Sequence, residues 1–381
     1  MTGYLDRLAE KAQQRAQAGL RRELRPRAAT DQAVDLAGND YLGMARHPAV
    51  LAAATAAITG YGLGATSSRL VRGTTQAHAD LETALAGWLG HPAALVFSSG
   101  YLANLAAVRA LAGRDGVVVA DAYNHASLVD GCRLAAAAGA ETVVVDHADP
   151  GAVARALAAR PGRDAVVVTE SVFSVDGDLA PLAELHAVAR RHGAVLLVDD
   201  AHAVGLLGPY GAGGVAAAGL AGQLDVVVTA TLSKAFGAAG GVVAGPAVLR
   251  THLVDTGRSF IYDTALPPAL AAGAHAALDL IRCGDAARAE LARRAALATA
   301  RLRAAGLSLP DPAGGVLSVR ASGPEQAVAW AAACRDRGVV VGCFRPPSTP
   351  DGQSRLRLTI NVAVPAGELD KALDVIVECA P

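Results

Sequence analysis

Val195-Leu196-Leu197-Val198-Asp199-Asp200-Ala201-His202 is an apolar run that stops on two carboxylates and an imidazole. It shows no polar alternation, so it predicts a strand buried on both faces, as in a parallel sheet covered by helices. Six more runs share this character, at 94–97, 117–120, 142–145, 165–169, 226–229 and 241–244. Helical spacing falls around and between them, over 47–59, 78–90, 100–112, 125–138, 151–160 and 181–192. Alternating strands and helices make an α/β fold. Ligands of such sheets bind beyond the carboxyl ends of the strands. The residues just after each run therefore carry the functional information.

Those residues are polar and chemically varied. The run at 94–97 leads into Ser98-Ser99-Gly100-Tyr101, and the run at 117–120 into Asp121-Ala122-Tyr123-Asn124-His125. The run at 165–169 leads into Glu170-Ser171-Val172-Phe173-Ser174, and the run at 226–229 into Ala230-Thr231-Leu232-Ser233-Lys234. One rim thus collects Asp, His, Lys, Ser, Thr and Gly. Each alone reads as a cap, a salt-bridge partner or a solvated side chain. As a set they describe a site.

Lysine usage sharpens the reading. The chain has 34 Lys and Arg, of which three are Lys: Lys11, Lys234 and Lys371. Lys11 follows Glu10 and Lys371 follows Asp370, as on ordinary charged helix faces. Lys234 lies between an apolar strand and the Gly-rich run 237–241, with no acidic residue within five positions. Desolvation there would lower the amine pKa from about 10.4, and a neutral amine can form a Schiff base. A pyridoxal phosphate site needs such a lysine. It also needs a carboxylate at the pyridinium nitrogen, a group stacked on the ring, and donors for a phosphate. Asp199, His125 and the helix start at Ser99-Gly100-Tyr101 supply these types, since a helix N-terminus favours an anion.

Composition bounds the alternatives. A formal net charge of -1 over 381 residues argues against a nucleic-acid surface. With 52% hydrophobic and 18% charged residues the chain is not a disordered one. Five widely spaced cysteines without a CxxC predict neither disulfides nor a thiolate metal site, and suit a reducing compartment. Ten histidines show no HExxH, so no metal is expected. No GxSxG elbow is present. Gly60-Tyr61-Gly62-Leu63-Gly64 follows a helix rather than a strand and lacks the dinucleotide-loop spacing. No apolar run approaches the roughly 20 residues of a membrane span. Residues 1–17 are amphipathic and mixed in charge, unlike a signal peptide. The expectation is a soluble cytoplasmic protein with no nucleic-acid or membrane partner.

After residue 250 the pattern changes. An Ala-rich helical stretch over 267–305 precedes strands at 316–319, 339–343 and 356–360, with helices at 324–336 and from Gly367. Three regions are expected: an N-terminal helix and connector (1–46), a large α/β domain (47–250) and a smaller α+β domain (251–381).

The sequence resembles the α-oxoamine synthase family, pyridoxal-phosphate enzymes of fold type I, over nearly its whole length. The resemblance is carried by Asn39-Asp40-Tyr41-Leu42-Gly43, residues 73–78, Ser99-Gly100-Tyr101-Leu102-Ala103-Asn104 and Asn124-His125-Ala126-Ser127. It continues through residues 169–178, Val198-Asp199-Asp200-Ala201-His202, Thr231-Leu232-Ser233-Lys234-Ala235-Phe236-Gly237 and Arg355-Leu356-Arg357-Leu358-Thr359. It implies a mostly parallel seven-stranded sheet in a large cofactor-binding domain, a smaller α+β C-terminal domain, and a homodimer with its active site at the interface. It also implies a decarboxylative condensation of an amino acid with an acyl thioester, carried on coenzyme A or acyl carrier protein. Phe344-Arg345-Pro346-Pro347-Ser348-Thr349-Pro350 is similar to members that join alanine to a pimeloyl thioester. Their products are 8-amino-7-oxononanoate, carbon dioxide and free thiol, a step of biotin synthesis. Members using glycine and a short acyl-CoA tend to carry Tyr-Pro there, and are the alternative. Two stretches depart from the family pattern: Gly64-Ala65-Thr66-Ser67-Ser68, and Ala203-Val204 after His202.

Site roles follow from the resemblance. Lys234 would carry the cofactor and shuttle a proton, and Asp199 would pair with the pyridinium nitrogen. His125 would stack on the ring and face substrate, and His202 would bond the ring hydroxyl, with Ser174 close by. Gly100, Tyr101 and Thr231 would hold the phosphate, and Thr264 the phosphate of the neighbouring subunit. Arg357 would clamp the amino-acid carboxylate, yet Arg355 shares its strand face by period two, so the pattern leaves both open. Arg21, Asn39, Arg345 and Ser348 are candidates for the acyl donor or substrate carboxylate.

Overall fold

The computed structural model describes residues 3–381; Met1 and Thr2, where the expected N-terminal region begins, lie outside the described residues. Eleven strands follow in chain order: β1 (Val34–Leu36), β2 (Ala93–Phe97), β3 (Val117–Asp121), β4 (Glu141–Val145), β5 (Ala165–Glu170), β6 (Val195–Asp199), β7 (Val226–Thr231), β8 (Gly241–Gly245), β9 (Val316–Arg320), β10 (Val339–Phe344) and β11 (Arg355–Thr359). All seven apolar runs are strands, each extended by one or two residues. Together they form one sheet in the order β2-β8-β7-β6-β5-β3-β4. Strands β4, β3, β5, β6 and β7 pair in parallel, and β8 runs antiparallel to both β7 and β2. The order reverses at β3, with β4 on one side and β5 on the other. Such a reversal opens a crevice at the strand ends. The turns after β3 and β5 border it.

Burial on both faces explains why the strands lack alternation. Val118, Val166, Val168 and Leu197 are buried in one cluster with Ala103, Ala107, Val108 and Leu128 of the helices Gly100–Ala112 and Ala126–Ala137. Alanine at the helix faces lets the helices lie close to the branched side chains of the sheet.

A second sheet has the order β1-β10-β11-β9, with β1 parallel to β10 and the other pairs antiparallel. The chain folds into two compact units. One holds the residues up to Gly38, Val175–Gly177 and Arg293–Pro381; the other holds Asn39–Ser174 and Asp178–Ala292. The divisions therefore fall away from those that the sequence pattern suggests, after residues 46 and 250. Two causes are visible. Val34, Asp35 and Leu36 pair with Val339, Val340 and Val341, which draws the N-terminal connector into the second sheet. The helix Pro268–Arg282 packs on the helices Pro48–Tyr61 and Gln76–Leu89, which keeps it with the large sheet. The expected long helix over 267–305 is two, Pro268–Arg282 and Asp285–Ala304, interrupted at Cys283-Gly284.

One buried ion pair anchors the edge of the large sheet. Arg69 Nη2 donates to Glu82 Oε1 at 2.8 Å, with side chains 6% and 8% exposed. Arg69 Nη1 donates to Val96 O at 2.9 Å, and Glu82 Oε1 accepts Val96 N–H at 2.9 Å. Both charges are thus tied to β2. Removing one partner of such a pair strands the other charge in the core. Arg69→Met is expected to lower unfolding free energy by about 3–5 kcal/mol in denaturant titration. A loss below about 1 kcal/mol would show that the pair is solvated or replaceable.

Candidate active site

Beyond β7 the chain makes a tight turn before β8. Leu232 N–H donates to Gly240 O (2.9 Å), Ala238 N–H to Leu232 O (3.0 Å) and Gly237 N–H to Lys234 O (2.8 Å). This fixes the backbone under Lys234, whose side chain is half-buried. Lys234 Nζ lies 2.8 Å from His202 Nε2. On the other side of that ring, His202 Nδ1 lies 2.7 Å from Tyr41 Oη. His202 is 4% exposed and Tyr41 fully buried. A hydroxyl and a neutral amine each donate or accept, so either imidazole tautomer completes the Lys–His–Tyr chain.

Asp199 ends β6 next to it. Its Oδ1 accepts the Ala201 N–H at 3.0 Å and its Oδ2 accepts Asn104 Nδ2 at 2.7 Å. Asn104 also donates to Ser127 Oγ at 2.8 Å and accepts from Thr229 Oγ1 at 2.5 Å. Ser127 Oγ lies 2.7 Å from His125 Nδ1, which also accepts the Ser127 N–H at 3.2 Å. That backbone bond puts the proton of a neutral His125 on Nε2. One amide thus ties the carboxylate of β6, the hydroxyl of β7 and the histidine that caps the helix Ala126–Ala137.

Two further acids sit alongside. Glu170 pairs with Asp199 across the β5–β6 ladder. Burial first, and the Asp199 charge second, hold Glu170 well above the usual carboxylate range, against the pull of Lys234. Glu170 Oε2 accepts the Ser174 N–H at 3.1 Å, which places Ser174 at the same rim. Asp200 faces away: it accepts from Ser171 Oγ and from the Gly214 N–H at 2.9 Å. Burial pushes Asp200 up to about 6 despite these bonds.

The start of the helix Gly100–Ala112 is pressed against β7 and β8. A Cβ on Gly241 would lie 2.3 Å from Ser99 O, and one on Gly100 would lie 3.0 Å from Thr231 Cβ and 3.2 Å from its Oγ1. Only glycine permits that approach. Ser99 Oγ accepts the Leu102 N–H at 3.2 Å, leaving the N–H groups before it at the mouth of the helix. Thr231 Oγ1 and Ser233 Oγ, 2.7 Å apart, add hydroxyls beside them. Tyr101 is exposed and its hydroxyl bonds Asp130, so its backbone N–H is what it can offer an anion. Thr264 forms a bridge with Ser68, in the stretch that departs from the family's glycine-rich pattern.

Of the sequence-predicted residues, Lys234, His202, Asp199, His125, Ser174, Gly100, Tyr101, Thr231, Thr264 and Asn39 belong to the larger unit. Arg21, Arg345, Ser348 and Arg357 belong to the other. There, Arg345 Nη2 donates to Arg21 O at 3.2 Å, and its Nη1 donates to Gly19 O. Ser348 Oγ accepts Arg22 Nη2 at 2.9 Å. Arg21 lines a cavity of about 630 Å³ with Arg22, Arg25, Arg335 and Arg345. Arg355 is fully buried, bidentate to Asp351 at 3.0 and 2.7 Å and paired with Asp176 at 3.2 Å. Arg357 instead lies 5.1 Å over the Phe344 ring.

Sequence reasoning gave no role to Tyr41, Asn104, Ser127 or Glu170. One signal was available for Asn104: it is a lone amide in an Ala-rich helix, four residues after Gly100. Among the described residues no group of three or more His, Cys, Asp or Glu could hold a metal ion. Among the same residues, no helix is long and apolar enough to cross a membrane.

The donor set fits pyridoxal phosphate. An amine, a buried hydrogen-bonded carboxylate, two imidazoles and an anion-ready helix start with hydroxyls match its aldehyde, pyridine nitrogen, ring, phenolic oxygen and phosphate.

The family described as aminotransferase class I and II matches residues 31–376. The 8-amino-7-oxononanoate synthase of Mycolicibacterium gilvum is 51% identical over 97% of this chain and 96% of its own. A serine palmitoyltransferase from S. paucimobilis, solved with a bound PLP–myriocin aldimine, superposes with a TM-score of 0.90 at 31% identity, covering 98% of this chain and 97% of that one. The 8-amino-7-oxononanoate synthase of Francisella tularensis gives a TM-score of 0.76 at 26% identity, covering 91% and 97%. With half its residues identical to such a relative end to end, the chain belongs to the aminotransferase class I and II family and, within it, to the α-oxoamine synthases of fold type I.

Proposed function

We propose that this protein is a pyridoxal-phosphate-dependent acyltransferase that condenses L-alanine with a pimeloyl thioester, on coenzyme A or acyl carrier protein. The products are 8-amino-7-oxononanoate, carbon dioxide and free thiol, in biotin synthesis. The observation that carries the reading is the 51% identity to an 8-amino-7-oxononanoate synthase over 97% of the chain. The Lys234–His202–Tyr41 chain beside a buried Asp199 supports it chemically.

Bound there, pyridoxal phosphate supplies an aldehyde for an amino group and a conjugated ring that takes up the electron pair freed at the substrate Cα. The residues do the rest. Lys234 would hold the cofactor through its amine and would move the proton at the substrate Cα. His202, steadied by Tyr41, bonds the ring hydroxyl. Asp199 keeps the proton on the pyridine nitrogen, and Asn104 and the Ala201 N–H keep that carboxylate oriented. His125 would stack on the ring, with Ser174 on the same rim. The N–H groups of Gly100 and Tyr101 and the Thr231 hydroxyl hold the phosphate, and Thr264 reaches the phosphate in the neighbouring subunit of a homodimer. Arg357 would take the alanine carboxylate, since Arg355 is already paired with Asp351 and Asp176; Arg gives the bidentate match. Arg21 and Asn39 serve the acyl donor. Arg345 and Ser348 act on the same donor by holding the connector that carries Arg21 and Arg22. The protein is cytoplasmic in this reading.

A thiol-release assay separates the alternatives. Turnover with alanine and pimeloyl-CoA is expected, against little with glycine and acetyl-CoA; the reverse pattern sinks the proposal. Lys234→Ala should lose the visible absorption of the bound cofactor and at least about 10²–10⁴-fold in rate. An unchanged spectrum would remove Lys234 from its role. Asn104→Ala leaves Asp199, Ser127 and Thr229 short of partners in the core. It should cost about 1–3 kcal/mol in denaturant unfolding and weaken cofactor retention on dialysis.

A further inference from the structure

A half-buried histidine that the proposed chemistry does not use joins the turns after β3, β4 and β5. His147 follows β4. Its Nδ1 lies 3.0 Å from Asp121 Oδ1 at the end of β3, and its Nε2 lies 2.9 Å from Asp178 Oδ2 after β5. A carboxylate can only accept, so both bonds require hydrogen on both ring nitrogens. The ring is therefore an imidazolium. Tyr123 stacks on it with centroids 4.1 Å apart at 15°, and Phe173 meets it edge-on at 4.3 Å and 78°. An aromatic face over a cation adds to the same state.

The surroundings are fully specified. From the turn after β3 come Asp121 and Tyr123; from the turn after β5 come Phe173 and Asp178. On its own turn Asp149 faces the Ala152 N–H and Arg155 instead. Burial alone would push the imidazole down. The two carboxylates outweigh it and raise His147 to about 9. Asp121 is the hub, accepting the Tyr123 and Ala148 N–H groups at 2.7 Å each. The turns so joined are the ones that carry His125 and Ser174. Asn124 N–H donates to Asp121 O at 3.3 Å one residue before His125, and Phe173 N–H donates to Asp178 O at 2.9 Å one residue before Ser174.

We propose that His147 is a positioning residue: bonded as imidazolium to Asp121 and Asp178, it locks the turn bearing His125 against the turn bearing Ser174. The inference rests on the reading of His125 as the group that stacks on the cofactor. The sign of its pH dependence follows. The folded value lies above the ordinary 6.5, so the clamp is complete below pH 6.5 and is lost as pH rises through about 9.

Two measurements on the full-length protein test it. In the cofactor-free protein, long-range ¹H–¹⁵N NMR should find both His147 nitrogens protonated at pH 7, with a midpoint near 9. Asp178→Asn, a change at a partly exposed side chain, should lower that midpoint by about one unit. A midpoint near 6.5 in the unmodified protein overturns the proposal. The second measurement is a double-mutant cycle in pyridoxal phosphate affinity, read by absorbance titration. His147→Gln should weaken binding about tenfold, and less than about twofold once His125 is Ala. Equal weakening in both backgrounds would mean general destabilisation, and no weakening would mean no role; either overturns it. Neither measurement uses an acyl donor, so both stand if alanine and pimeloyl thioester prove to be the wrong substrates. If pyridoxal phosphate fails to bind at all, the proposed function falls and the NMR midpoints alone decide the clamp.

Discussion

A carboxylate buried at a strand end is costly unless every lone pair is met. Asp199 is buried in such a place with one hydrogen bond on each oxygen, and much of the arrangement around it supplies those bonds. Asn104 reaches it from the helix Gly100–Ala112, so that helix must start close to β7 and β8. Glycine at 100 and 241 permits the approach. The same start leaves unpaired backbone N–H groups at the rim, suited to an anion. Asn104 also holds Ser127, and through it the His125 ring. One hydrogen-bonded amide therefore sets the Asp199 carboxylate, the His125 imidazole and the helix start in a single frame. Such networks are strong when complete and costly when broken.

The neighbouring acids divide their labour by environment. Asp199 and Asp200 are adjacent, yet one is turned to the site and the other to the backbone of 214–215. Glu170 stands across the ladder from Asp199 and is driven toward its neutral form by burial and by that charge. A neutral Glu170 still accepts the Ser174 N–H without adding a second negative charge beside Asp199. Like charges at that spacing cannot both ionise cheaply. The pair thus avoids two like charges side by side at the end of the β5–β6 ladder.

The large sheet was legible because its strands are continuous runs of Val, Leu and Ala, a pattern that few other structures produce. The rim residues followed from that pattern, the lysine count singled out Lys234, and the individual roles came from the family resemblance. Other parts could not be read locally. β1 is three residues long and exists through partners some three hundred positions away. That pairing moves the whole N-terminal connector into the second sheet, which no local composition shift announces. The choice between Arg355 and Arg357 was open by periodicity. The partners of Arg355 are Asp351, four residues before it, and Asp176, far back in the chain. Asn104, quoted only as part of a motif, and His147 were given no role for the same reason: their partners come from other elements.

The scarcity of lysine puts the remaining weight on one residue. Arginine serves nearly every cationic role in this chain, including the buried pair with Glu82, the cap on Asp351 and the strap on the Gly19 and Arg21 carbonyls. A planar guanidinium that never deprotonates suits all of these. It cannot serve at 234. In the proposed function the group there, 2.8 Å from an imidazole, has to be an amine that can give up its proton and form a Schiff base. Arginine at that point would bond His202 and go no further. In that reading the lysine at 234 is needed for the physics of its amine rather than for its charge.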